Sequence, residues 1–246
     1  MPAPWVPAVF GKAFYRDVQW ECDTMRQSIR EFTGIVADTL PIVEPIYEFG
    51  SLQVIEDKAL ADLRPLFADK KYVGCDMRPG PGVDRVLDLH NIDLPNETAG
   101  IVLVMDTLEH VEFARRAMEE VHRILKPNGM AVISSVMKFA VHGHPNDYWR
   151  FTTEGFKSLL RPFATIYVEF AGRWWFPHTV VGVGFKSPVP QEPMRRFGQC
   201  VDAWKKKWEE PTGSRWHALV RGIVPYGLIE WHTHVVRTRQ LQRTGR

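Results

Sequence analysis

Cysteine is scarce. The 246 residues include three, Cys22, Cys75 and Cys200, isolated and odd in number. Without CxxC spacing they fit neither a disulfide framework nor a cysteine zinc site, so the sequence predicts no metal centre. Long apolar runs are lacking as well. The nearest approach, Gly222 to Trp231, is broken by Pro225, Gly227 and Glu230 and falls far short of the roughly 20 apolar residues of a spanning helix, so no membrane span is expected. The opening MPAPWVPAVFGK has neither the basic start nor the apolar stretch of a secretory signal, which predicts a cytoplasmic protein. No GxGxxG turn follows any strand-like run. That argues against a dinucleotide dehydrogenase, whose pyrophosphate rests on such a turn at a helix N-terminus.

What is present is a globular composition, 45% hydrophobic and 24% charged, long enough for one substantial core. The net charge of +2 is unevenly spread: residues 191–246 hold 11 Lys and Arg against 5 Asp and Glu, leaving 20 and 24 for the rest. A basic tail attracts phosphate groups on nucleic acid or lipid. With acids interspersed, however, it reads first as a solvated helical surface, and a nucleic-acid partner is not expected.

Apolar residues at helical spacing (Phe14, Val18, Met25, Ile29, Phe32, Ile35, Val36) predict one or two helices over 11–40, ended by Pro41 and Pro45. Strand and helix then alternate. Strands are predicted at Ile46–Phe49, Tyr72–Asp76, Val86–Leu89, Ile101–Met105, Met130–Val136, Ala164–Phe170 and His178–Lys186. Helices are predicted at Asp57–Phe67, at Val111–Lys126 with Pro127, Asn128 and Gly129 as the stop, and from a Thr152 or Thr153 cap to Leu160. The unalternating run Ile101–Met105 suits a strand buried on both faces. This order specifies a doubly wound, mostly parallel, seven-stranded α/β sheet of the Rossmann-like kind. Only GRWWFP separates the last two strands, so they should form an antiparallel hairpin at one edge. The expected organisation is an N-terminal helical segment (1–40), a central domain (41–190) and a basic helical C-terminal extension (191–246).

In such sheets ligands bind beyond the carboxyl ends of the strands. The residues standing there are Glu48-Phe49-Gly50-Ser51, Asp76-Met77, His90 to Leu94, Asp106 to His110, and Lys138 to Arg150. A carboxylate at a strand end can accept both hydroxyls of a ribose, and an Asp beside an apolar residue can accept from an exocyclic adenine amine.

In order and residue type these segments resemble the class I S-adenosylmethionine-dependent methyltransferases, over about residues 41–186. IYEFGS resembles the family's first motif, YVGCDM the second and NIDLP the adenine-contacting segment. VMDTLEHV followed by EEVHRILKPNGMAVIS is similar to the fourth-strand motif and following helix, turn and strand of small-molecule and ubiquinone-type members. HPNDYWRFT is similar to a loop found in a bacterial subgroup associated with surface-glycan or secondary-metabolite pathways. The resemblance implies that S-adenosylmethionine is the cofactor. It implies that Glu48, Gly50 and Ser51 lie under its methionine portion, that Asp76 takes the ribose hydroxyls with Met77 as an adenine cover, that Asp93 and Leu94 meet adenine, and that Asp106 and Thr107 complete the rim. One departure stands out: the family's GxGxG is reduced to Gly50, with Ser51-Leu52-Gln53 after it.

Each residue also has a plainer reading. Gly50 can be a strand-end turn glycine, Asp93 a turn terminator, Asp106 a helix cap and Met77 core. For catalysis His110 and His144 are the candidate bases, a hydroxyl acceptor having a proton to lose. His142, Asp147, Tyr148, Trp149 and Arg150 either wall an acceptor pocket or latch a loop. Trp174 and Trp175 either line the same cavity or fill core. Trp204, Trp208, Trp216 and Trp231 anchor the tail on the domain or on a second copy as a homodimer. The function expected is O-methylation of a small molecule, a sugar or natural-product hydroxyl. The rivals are a non-catalytic scaffold that keeps the fold and a nucleic-acid methyltransferase.

Overall fold

The runs without polar alternation become the strands with both faces covered. In a computed structural model that describes residues 27–53, 61–142 and 146–209, β1 (Ile46–Phe49) and β4 (Ala99–Val104) are buried along their whole length. The remaining strands are β2 (Tyr72–Asp76), β3 (Arg85–Val86), β5 (Leu125–Val136), β6 (Thr165–Arg173) and β7 (Phe176–Phe185). They form one seven-stranded sheet in the order β3-β2-β1-β4-β5-β7-β6. Strands one to five run parallel, while β7 pairs antiparallel with both β5 and β6. The expected edge hairpin is thus present, turning at Trp174 and Trp175.

Successive strand residues point to opposite faces, so each strand feeds two cores. On one face Tyr47, Phe49, Val102 and Val104 pack with Met118 and Val121 of α2 (Ala114–Ile124) and Phe156 of α3 (Thr153–Leu159). On the other, Ile46, Ile101, Leu103 and Val132 meet Phe32 and Val36 of α1 (27–39) and Phe197, Val201 and Trp204 of α4 (Gln191–Lys207). Phe32 lies 6.0 Å from the Phe197 ring and 5.4 Å from that of Trp204. Trp204 Nε1 donates to the Ser28 carbonyl at 2.8 Å, and Trp208 Nε1 to Glu31 at 2.9 Å. Fully burying such a ring contributes about 1.5–3 kcal/mol, so α1 and α4 together supply a core rather than a surface layer. The helical readings over 11–26 and 210–246, with Trp216 and Trp231, lie outside the described residues.

Several boundaries differ from expectation. Of the helix expected over Asp57–Phe67, residues 57–60 lie outside the described residues. The remainder ends in a 3-10 turn, Arg64–Phe67, whose Pro65 lacks the N–H that an α-helix would use. The third strand stops at Val86: Leu87 N makes the last ladder bond, to Asp76 O, and the chain then turns through an Asp88–Asn91 bridge. The helix expected from Val111 starts at Ala114, after a 3-10 turn at Leu108–His110, and ends at Ile124. There the β4–β5 register steps from Ala99–Leu125 to Ile101–Met130, so Lys126 to Gly129 bulge outward. Thr152 is the cap of α3, its hydroxyl accepting from Gly155 N.

Candidate active site

Strand register brings the expected cofactor residues to one level. Phe49 is opposite both Cys75 and Val104, so Gly50, Asp76 and Met105 leave the sheet side by side. Gly50 N and Ser51 N both donate to Cys75 O, at 2.9 and 3.0 Å. That turn requires a φ of 85° at Gly50, where a Cβ would stand 2.0 Å from Thr107 Oγ1. Glycine is therefore demanded by the protein's own packing. The missing second glycine has a local answer. Ser51 is buried and its Oγ donates to Cys75 O at 3.2 Å, so its side chain turns into the sheet. Beyond it Gln53 N donates to Pro81 O at 2.9 Å, laying the RPGPG loop along this turn.

Asp76 closes β2 with one carboxylate oxygen accepting from Arg78 N at 2.9 Å. A carboxylate has about four acceptor positions, so this arrangement remains compatible with two ribose hydroxyls. Met77 beside it is 58% exposed, which excludes the core reading and leaves an apolar ledge at the rim. Leu94 is buried and Asp93 exposed. Their segment is pinned by Arg123 from α2, which donates to Ile92 O and Leu94 O at 2.8 Å each, while Glu120 accepts from Ile92 N at 2.9 Å.

Asp106 adopts a left-handed φ of 43°, a region Asp tolerates better than most residues. Its N–H donates to Ser134 Oγ and the Ser134 hydroxyl donates to its carboxylate, both at 3.0 Å, joining the ends of β4 and β5. Thr107 Oγ1 donates to Met105 O at 2.8 Å and lies 3.3 Å from Phe49 O. The turn that follows rotates Glu109 inward until it is 1% exposed, accepting from the Ser135 hydroxyl at 2.7 Å. Burial first, and then the neighbouring Asp106 charge, push the Glu109 carboxyl well above the usual carboxylate range.

Sequence reasoning missed Glu109 and Ser135. The available signal was the pair Ser134-Ser135 in an otherwise apolar strand, since buried hydroxyls need partners. Glu48 also proves buried, accepting from the Tyr72 hydroxyl at 2.8 Å. Loss of hydration pushes its carboxyl up to about 7 despite that hydrogen bond.

The loop after β5 is latched from within. Arg150 grips Asp147 through both guanidinium ends, at 2.5 and 2.8 Å, and also donates to Phe139 O and Ala140 O. Burial works to raise the Asp147 carboxyl, but these bonds and one from His142 N overcome it and hold the group at about 2. The loop docks on the β4 side, Tyr148 N and Trp149 N donating to Glu109 O at 2.7 and 3.2 Å. Trp149 Nε1 donates to Val111 O at 3.0 Å. Asp147 and Arg150 thus serve as the latch, whereas Tyr148 and Trp149 keep exposed ring surface.

His110 and His142 meet edge to face, ring centroids 4.8 Å apart, and burial keeps His142 below its ordinary pKa. His110 Nδ1 bonds the Asn146 carbonyl. His144 lies outside the described residues. Trp174 is 77% exposed and Trp175 48%, which overturns core filling for both.

Residues 57–133 match a family model described as a methyltransferase domain. Among solved structures, 1,6-didemethyltoxoflavin-N1-methyltransferase of Burkholderia thailandensis, with 1,6-didemethyltoxoflavin and S-adenosylhomocysteine bound, is 18% identical. That match covers 76% of this chain and 94% of the other, with a TM-score of 0.50. The CMeT domain of the citrinin polyketide synthase is 14% identical over 67% of this chain and 52% of its own, with a TM-score of 0.50. An S-adenosylmethionine-dependent methyltransferase of Thermotoga maritima is 19% identical, covering 72% and 98%, with a TM-score of 0.48. No curated protein sequence matches the chain. The family match thus lies within the sheet domain, and the fold is one that the chain shares with these methyltransferases. Among the described residues no helix is long and apolar enough to cross a membrane.

Proposed function

We propose that this chain is a class I methyltransferase with S-adenosylmethionine as its cofactor, that it acts on a small molecule, and that the accepting atom is a hydroxyl oxygen of a sugar or natural product. The observation that carries this reading is the asymmetry of the rim. Gly50, Asp76 and Met105 leave the central strands together with Asp106 next in the chain, and beside them stands a wall of polar and aromatic side chains, His110, His142, Tyr148 and Trp149.

Asp76 binds the two ribose hydroxyls, exposed Met77 covers the adenine with the Asp93-Leu94 segment at its edge, and the Gly50-Ser51 turn passes under the methionine portion. Glu48 supports that turn from beneath, and Asp106 and Thr107 close the far side. When bound, the cofactor supplies an electrophilic methyl on a sulfonium. The chain's own contribution is alignment of acceptor and methyl, which supplies roughly 7–11 kcal/mol in well-oriented systems. In this reading His110 takes the hydroxyl proton, an assistance of about 10²- to 10⁴-fold.

Calorimetry with S-adenosylhomocysteine tests the cofactor half. Tight binding is expected, with Asp76→Ala weakening it by about 1–3 kcal/mol; equal affinity removes the ribose role. Turnover on a panel of hydroxylated, amine and carbon acceptors tests the rest. Methylation confined to amines or carbon overturns the oxygen assignment, and cofactor binding without any product favours a scaffold.

A further inference from the structure

We propose that Glu109, His110 and His142 together bind one divalent transition-metal ion of the zinc type at the carboxyl ends of β4 and β5. One ligand atom from each of these side chains lies within 4.8 Å of the other two. Bonds of about 2.0–2.2 Å in a tetrahedral shell place donors roughly 3.4 Å apart, so small side-chain rotations close the triangle. The donors come from separate segments, the turn after β4 and the loop after β5.

What surrounds the imidazoles is the second observation. Histidines that ligate a metal through one nitrogen almost always donate the other N–H to a backbone carbonyl or a carboxylate, which fixes the tautomer. Both do so here. His110 Nδ1 meets the Asn146 carbonyl. His142 Nδ1 meets Ala140 O at 3.0 Å, with Asp147 Oδ2 3.3 Å away. Because those acceptors are oxygens, Nδ1 carries the proton and the lone pair sits on Nε2. Glu109 is held in the same way, by the Ser135 hydroxyl. Two imidazoles and a carboxylate suit zinc or cobalt rather than magnesium or calcium. Three protein ligands, the number found among the described residues, match the protein share of a catalytic zinc site.

The cysteine spacing that predicts no metal is silent about such a site, because its ligands are His and Glu brought together by folding. The site also bears on the proposed chemistry. A neutral imidazole has one ring lone pair, so His110 acts either as ligand or as base. An acceptor oxygen bound as a further ligand would instead be acidified by the ion, as zinc-bound water falls to a pKa of about 7.

The test is titration of the chelator-stripped full chain with Co²⁺, read by visible absorption. One Co²⁺ per chain with an intense nitrogen- and oxygen-ligand spectrum, displaced by Zn²⁺, is expected. His142→Ala should abolish that spectrum, and Asp147→Asn should weaken binding about 10- to 100-fold. Glu109→Gln is a second ligand variant, used with a melting curve that confirms folding. No spectrum up to about 1 mM Co²⁺, or a spectrum unchanged by His142→Ala, overturns the proposal. S-adenosylhomocysteine calorimetry on the same samples keeps the two readings apart. Cofactor binding without Co²⁺ binding ends only the metal site, and the reverse ends the cofactor-rim reading while leaving the metal site.

Discussion

The two halves of the rim are built from different materials. At β1 and β2 the geometry is made by the backbone: Gly50 N and Ser51 N share one carbonyl, and strand register fixes Asp76 beside them. At β4 and β5 it is made by side chains, with Ser135 holding Glu109, Arg150 holding Asp147, and two histidines in contact. The first construction fixes position and tolerates little change. The second is titratable, and its shape depends on which groups carry charge. A constant cofactor suits the first half, and an acceptor that differs from enzyme to enzyme suits the second.

The sharpest way to break this contrast is Gly50→Ala. It forces a left-handed backbone on a side chain and drives Cβ into Thr107, so a loss of about 2–5 kcal/mol in urea unfolding is expected. A normal midpoint would mean that this turn is as adaptable as the other half.

Next in size is Glu48, the titratable group beneath the backbone-built side. In the folded chain it holds its proton up to about pH 7, while in the unfolded chain it ionises near 4.5. The unfolded state therefore loses that proton first. Stability attributable to Glu48 falls as pH rises through this window, by about 3 kcal/mol in all, and then levels off. Glu48→Gln should remove that slope, and unfolding at pH 5 and pH 7.5 measures it. Parallel profiles for the two chains would reject burial as the cause.

On the opposite side Arg150→Ala should loosen the loop while sparing the sheet. Charged hydrogen bonds contribute about 1.5–3 kcal/mol, so hydrogen exchange at the Tyr148 and Trp149 amides should quicken roughly 10- to 100-fold. Unchanged protection there would show that the Asp147 clasp is incidental. The smallest effect expected is at the loop's exit, where Thr152→Ala deletes the α3 cap and costs about 1 kcal/mol.

The same contrast explains what could be read in advance. Gly50, Asp76 and Asp106 were legible because a strand's end is marked in the sequence and register carries it into space. Glu109 was not, because its burial follows from a three-residue turn and from Ser135, 26 positions away. The clasp of Asp147 and Arg150 was visible as a spacing of three, but not whether it faced a ligand or its own loop. The exposure of Trp174 and Trp175 hung on hairpin length. In the last helix, Phe197, Val201 and Trp204 carry a helical stripe, yet nothing local says that Phe32 receives it.

That last pairing has a consequence for how the protein comes into being. Ser28 and Trp204 are 176 positions apart and joined by one buried hydrogen bond. During synthesis α1 waits with its aromatic face uncovered until nearly all of the sheet and α4 have left the ribosome. A chain cut short before Phe197 would hold most strands and still present an open, sticky flank, so truncated products should aggregate rather than persist as smaller enzymes.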